Sequence, residues 1–155
     1  MDAPWSFSDQ AFMKMALELA RQQLGRTGAN PAVGCVIVRD DVVVGSGATQ
    51  DGGRPHGEFM ALEAAGSSAA GATLFVTLEP CAHKSTKGPT CTDILLHAGV
   101  ARVVACLEDP DARTAGQGFH RLRAGGVRVE IGLLAEAGAE QIRDFIQSID
   151  SRFKC

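Results

Sequence analysis

The chain has 155 residues, 45% hydrophobic and 21% charged, the make-up of one soluble globular domain large enough to bury a core. Its net charge of −3 and lack of any Lys/Arg run exclude a protein whose affinity rests on nucleic-acid phosphates, though not a small phosphorylated ligand. Five cysteines, no signal-peptide core around Asp2 and Asp9, and no apolar run of membrane length point to a reducing cytoplasm, without disulfides or a membrane partner.

Ser8 caps a predicted helix over residues 9–24, in which Phe12, Met13, Ala16, Leu17, Ala20 and Leu24 recur at helical spacing and Gly25 makes the stop. A polar loop ends in Asn30-Pro31. Val33 to Val38 reads as a buried strand with Cys35 as a small apolar member. Asp40-Asp41 turns the chain, and Val42 to Gly47 returns as the hairpin partner. A Gly-rich loop from Thr49 to Pro55 feeds a helix over 56–65, with Pro55 at its start, where a missing N–H costs nothing. His56 and Glu58 then fall in the first turn.

Ala72 to Leu78 is the third strand and runs into Glu79-Pro80-Cys81. After a polar loop, Thr90 caps a helix over 91–98, stopped by Gly99. Residues 101–106 form a fourth strand, and Asp109-Pro110-Asp111 leads to a helix near 118–124 that ends at Gly125-Gly126. A fifth strand covers 127–131, and a last amphipathic helix covers 136–153. A hairpin followed by two right-handed crossovers predicts an α/β fold. It has three α-β-α layers around a five-stranded mixed sheet, with strands three to five parallel. Ligands of such sheets bind beyond the carboxyl ends of the strands, a mouth that Cys81 and Asp109 can share. No repeat or linker divides the chain, so residues 1–155 form a single domain.

His56, Cys81 and Cys91 supply one imidazole and two thiolates, enough to neutralise a divalent zinc and leave its fourth position to water, as in a catalytic rather than a structural site. Glu58, two residues after the histidine, is a carboxylate placed to move protons between water and a leaving amine. Residues 82–90 separate the cysteines, and a pair so spaced more often only packs. Agreement among independent features decides for the metal: a proline precedes both His56 and Cys81, each motif follows a strand, and Cys91 opens a helix whose N-terminus would depress its pKa. Cys35, Cys106, Cys155, His97 and His120 are assigned to packing or surface.

The segments Asn30-Pro-Ala-Val-Gly-Cys-Val-Ile-Val38, Gly53-Arg-Pro-His-Gly-Glu58, Val76-Thr-Leu-Glu-Pro-Cys-Ala-His83, Ala98-Gly-Val-Ala-Arg-Val-Val104, Glu108-Asp-Pro-Asp111 and Ala115-Gly-Gln-Gly118 carry a resemblance. They resemble the cytidine-deaminase superfamily, and in particular the deaminase domain of the riboflavin-biosynthesis deaminase–reductases. The likeness runs from the first helix to Gly132. It implies a cytidine-deaminase-like fold and Zn2+ held by His56, Cys81 and Cys91, with Glu58 as the catalytic proton shuttle. The implied reaction is hydrolytic loss of the exocyclic amine of a diaminopyrimidinone carrying a ribosylamino 5′-phosphate, releasing ammonia. Asn30 and Thr49 would contact substrate, and His83, Lys87 and Asp109 would line its ribose-phosphate side. A homodimer or higher homo-oligomer is expected, with a separate reductase as a further partner.

Three features depart from the family pattern. Residue 57 is Gly where the family has Ala, which is expected to loosen the helix start by up to about 1 kcal/mol. The loop between the cysteines is one residue longer, with Gly88 and Thr90 replacing a Thr and a Pro, and counting back from Cys91 keeps Lys87 in register with the family's basic residue. The family's reductase domain has no counterpart in residues 1–155. The alternatives are a zinc deaminase of another base or nucleotide (guanine, cytosine, dCMP) and a non-catalytic zinc-stabilised subunit, against which the intact His56, Glu58, Cys81 and Cys91 argue.

Overall fold

The structure is a computed structural model and describes residues 5–82, 88–112 and 114–147. Its elements run α1 (Phe7–Gln22), β1 (Gly34–Arg39), β2 (Val42–Ala48), α2 (Gly57–Ala65), β3 (Thr73–Val76), α3 (Cys91–Ala98), β4 (Arg102–Ala105), α4 (Gln117–Ala124), β5 (Arg128–Ile131) and α5 (Ala135–Gln141). One sheet has the order β2-β1-β3-β4-β5. β1 is antiparallel to both β2 and β3, whereas β3, β4 and β5 are parallel. Among the described residues no helix is long and apolar enough to cross a membrane.

The β1–β2 turn is Asp40-Asp41, both residues at positive φ (52° and 61°), the geometry a two-residue hairpin needs to match strand twist. Alternation along the strands then sorts side chains to two faces. Cys35, Ile37, Leu74, Val76, Val103 and Ala105 pack beneath α2, α3 and α4. Val36, Val38, Phe75 and Val104 face Met13, Ala16 and Leu17 of α1. The centre of the sheet is thus buried on both sides, which keeps β1, β3 and β4 largely apolar, whereas the edge strands β2 and β5 also carry exposed residues.

Boundaries moved most at the two terminal helices. α1 starts two residues early because Ser6, not Ser8, is its cap: the Ser6 hydroxyl accepts the Asp9 N–H (2.9 Å) and the Asp9 carboxylate accepts the Ser6 N–H (3.1 Å). α5 ends at Gln141, because Ile142 leaves helical geometry before a further helical run over 143–147. α3 begins and ends as expected, with a Thr90/Asp93 capping box at one end and left-handed Gly99 at the other.

Candidate metal centre and active site

His56 belongs to the loop before α2 rather than to its first turn. It is the helix N-cap in extended geometry (φ −72°, ψ 163°), and Pro55 therefore lies outside the helix. Glu58 follows in the first turn and is 3% exposed. Gly57 is not a loose point. A Cβ there would fall 2.8 Å from the Val33 carbonyl oxygen and 3.2 Å from Cys35 Sγ, so glycine lets α2 settle onto β1.

Cys81 arrives from the other side of the cleft, beyond β3, and Cys91 is the first residue of α3. Thr92 joins them: its N–H and hydroxyl both donate to the Cys81 carbonyl (3.1 and 2.9 Å). The Cys91 N–H points at Cys81 Sγ (3.4 Å). His56 Nδ1 lies 3.3 Å from Cys91 Sγ and 3.8 Å from Cys81 Sγ, and the three ligand atoms all lie within 4.8 Å of one another. Zinc bonds of about 2.0 Å to nitrogen and 2.3 Å to sulfur, at tetrahedral angles, put such atoms roughly 3.5 Å apart. The donor set and its spacing fit zinc, and among the described residues no fourth His, Cys, Asp or Glu joins the group.

The charges are unevenly shared before metal enters. The Cys91 thiol, together with His56 and the Cys91 N–H, stabilises the Cys81 thiolate against partial burial and brings its pKa down to about 4. Cys91 is raised, because it is buried beside that thiolate and near Glu58. The N-terminus of α3 directs the Cys91 N–H at the Cys81 sulfur, so it favours a thiolate on Cys81 as well as on the residue that opens the helix. Burial raises Glu58 to about 7, against the pull of His56. Asp109 rises to about 6, again mainly by burial, although its carboxylate accepts the Asp111 N–H (2.8 Å).

These groups line one cleft that opens to solvent. Asn30, Thr49 and Asp109 line it beside His56, Glu58 and Cys81. Asn30 donates its amide to the Gly53 carbonyl (2.9 Å). The Thr49 hydroxyl accepts the Val33 N–H (3.0 Å) and donates to the Pro31 carbonyl (3.2 Å), so its own hydrogen bonds fasten the segment entering β1 to the segment leaving β2. His83 and Lys87 lie outside the described residues.

Two lining residues escaped the sequence reading. Phe145 comes from the run after α5, which periodicity marked only as an amphipathic helix. Glu79, 3% exposed, accepts the N–H groups of Asp109 (3.0 Å), Gly116 (2.9 Å) and Phe119 (3.1 Å). α4 can lie this close because residue 118 is Gly: a Cβ there would fall 2.3 Å from the Pro80 carbonyl oxygen. The signal for Glu79 was its position between a strand and a candidate metal-ligating cysteine.

Comparison with known proteins agrees with this geometry. Residues 6–107 match the model of the cytidine and deoxycytidylate deaminase zinc-binding region. Over 145 residues the chain is 44% identical to the riboflavin biosynthesis protein RibD of Escherichia coli, covering 94% of this chain but 39% of that protein. The RibD structure from Acinetobacter baumannii superposes with a TM-score of 0.87 at 43% identity, over 92% of this chain and 40% of that one. The diaminohydroxyphosphoribosylamino-pyrimidine deaminase of Buchnera aphidicola is 38% identical over 94% of this chain and 99% of its own length.

Proposed function

The chain belongs to the cytidine and deoxycytidylate deaminase family, and from that premise we propose that it hydrolyses the exocyclic amine of a diaminopyrimidinone ribosylamino 5′-phosphate in riboflavin biosynthesis. The observation that carries this reading is the meeting of His56, Cys81 and Cys91 beside buried Glu58 in one cleft. Near full-length likeness to the Buchnera deaminase supports the substrate, and the chain spans about two-fifths of its RibD relatives in Escherichia coli and Acinetobacter baumannii. The reaction belongs in the cytoplasm, and its product suits a reductase, whether separate or joined.

His56, Cys81 and Cys91 would hold the zinc. When bound, zinc supplies the Lewis acidity that makes water a nucleophile near neutral pH. Two thiolates cancel its charge, and Glu58, buried in the first turn of α2 two residues after His56, is placed to both take and give a proton. Glu58 takes the proton from the attacking water and passes it to the amine. The oxygen joins the ring carbon, the carbon–nitrogen bond breaks, and ammonia leaves. Asn30 is held by Gly53 at the cleft wall, where it can orient the base. Asp109 can accept hydrogen bonds from sugar hydroxyls, while His83 and Lys87 are assigned to the ribose-phosphate side.

The test is ammonia release by zinc-loaded protein from a panel holding the phosphorylated diaminopyrimidinone, guanine, cytosine and dCMP. The phosphorylated pyrimidine should be turned over best, with about one zinc per chain by elemental analysis. Preference for guanine, cytosine or dCMP would replace the substrate, and active protein without metal would remove the mechanism.

A further inference from the structure

Four acidic residues line the cleft: Glu58, Glu79, Asp109 and Asp111. An anionic substrate entering there meets repulsion unless a cation receives it. Among the described residues, Arg54 is the sole Lys or Arg side chain on the cleft wall. Its backbone is fixed from both sides. Asn30 ties down the preceding Gly53 carbonyl, and the Gln50 N–H donates to the following Pro55 carbonyl (3.0 Å). The side chain is exposed and uncommitted. Asp51, the nearest acidic residue in sequence, is already held by Arg26 (3.1 Å) and Gln23 (3.1 Å), and no ion pair reaches Arg54 among the described residues.

We infer that Arg54 is a specificity-determining residue that binds the phosphate of the substrate at the rim of the cleft, two residues before His56. The inference rests on the reading of a phosphorylated substrate given above. A guanidinium offers a planar fork of donors that matches two phosphate oxygens at once. An uncommitted arginine on an anchored backbone gives up no existing ion pair when it takes an anion. The arrangement lets a cleft that is acidic in its depth admit an anion by its rim, with the base directed inward to Glu58.

The test compares the zinc-loaded parent with Arg54→Gln, which keeps a polar stem without the charge. KM for the phosphorylated pyrimidine should rise tenfold or more, on the order expected for a lost charged hydrogen bond. Turnover at saturation and KM for the dephosphorylated compound should change less than about twofold. Calorimetric titration with ribose 5-phosphate, and with ribose as control, reads the same contact without turnover. The parent should bind the phosphate ester and Arg54→Gln should not. Equal binding by both proteins, no binding by the parent, or equal KM losses on both compounds would overturn the assignment. If the parent binds ribose 5-phosphate through Arg54 but releases no ammonia from the phosphorylated pyrimidine, the anion site stands and the substrate reading falls.

Discussion

The carboxylate of Glu79 accepts the backbone N–H of Asp109 at 3.0 Å, tying the segment that ends in Cys81 to the loop that carries an acidic wall of the cleft. The same carboxylate takes the N–H groups of Gly116 and Phe119, so one buried charge organises the whole approach from β4 to α4. Three donors offset its desolvation, as burial of a charge requires.

Glu79→Gln tests this directly. Both oxygens accept in the parent, so the amide must point its NH2 at a backbone N–H, donor against donor. A loss of about 1–3 kcal/mol is expected from an unsatisfied buried group, read by chemical denaturation of the zinc-loaded protein. Ammonia release should fall with it, because Asp109 loses its anchor. An unchanged denaturation midpoint would show that the loop holds itself.

The grouping of His56, Cys81 and Cys91 that could hold a metal was legible in the chain because each residue carries its signal locally: a histidine before a helix, and a cysteine at the start of α3 behind Thr90. The parallel run of strands three to five was legible as well, since right-handed crossovers leave few topologies, whereas the place of the hairpin beside β3 came from the structure. Glu79 and Phe145 could not be found that way. Glu79 acts on backbone groups 30 to 40 positions away, and Phe145 reaches the cleft only through the packing of the C-terminal run. The expected cap, Ser8, was two residues late, because the carboxylate of Asp9, three residues after Ser6, closes a capping box with Ser6 instead.

Glu58→Gln separates proton transfer from metal binding. Glutamine keeps size and polarity but cannot carry a proton from water to amine. Zinc content should stay near that of the parent while ammonia release falls about 100-fold or more. Activity like the parent's would reduce Glu58 to a carboxylate at a helix start.

Stability in acid should depend on Asp9. Arg102 holds its carboxylate through two hydrogen bonds (3.1 Å each) and also pairs with Glu130 (2.6 Å). Burial tends to raise the Asp9 pKa, but the bonds from Arg102 and Ser6 outweigh it and leave it lowered from the model-peptide value of 3.8. A folded pKa below the unfolded one contributes stability above the unfolded value, lost as pH falls through the folded value. Asp9→Asn should therefore destabilise by about 1–3 kcal/mol at pH 7. Its difference from the parent should shrink steadily below about pH 4. Denaturation curves across that range would show a constant gap if the pair were electrostatically idle.

Gly57→Ala sets helix propensity against packing. In an open helix the change gains up to about 1 kcal/mol. Here the added Cβ would sit 2.8 Å from the Val33 carbonyl oxygen. That oxygen cannot swing away, because it accepts the Thr49 N–H (2.9 Å) while the Thr49 hydroxyl holds the Val33 N–H. Relief must come from α2 lifting, and overpacking of this kind costs about 1–3 kcal/mol. The cost outweighs the gain, so stability should fall slightly. His56 and Glu58 ride on the lifted turn, whereas Cys81 and Cys91 are fixed to each other through Thr92 and stay behind. Misplacement by a few tenths of an ångström should lower the rate of ammonia release about threefold to tenfold, a fraction of what a full ångström can cost, and weaken zinc binding in a chelator competition. A more stable protein with parental activity would instead mean that α2 shifts freely over β1.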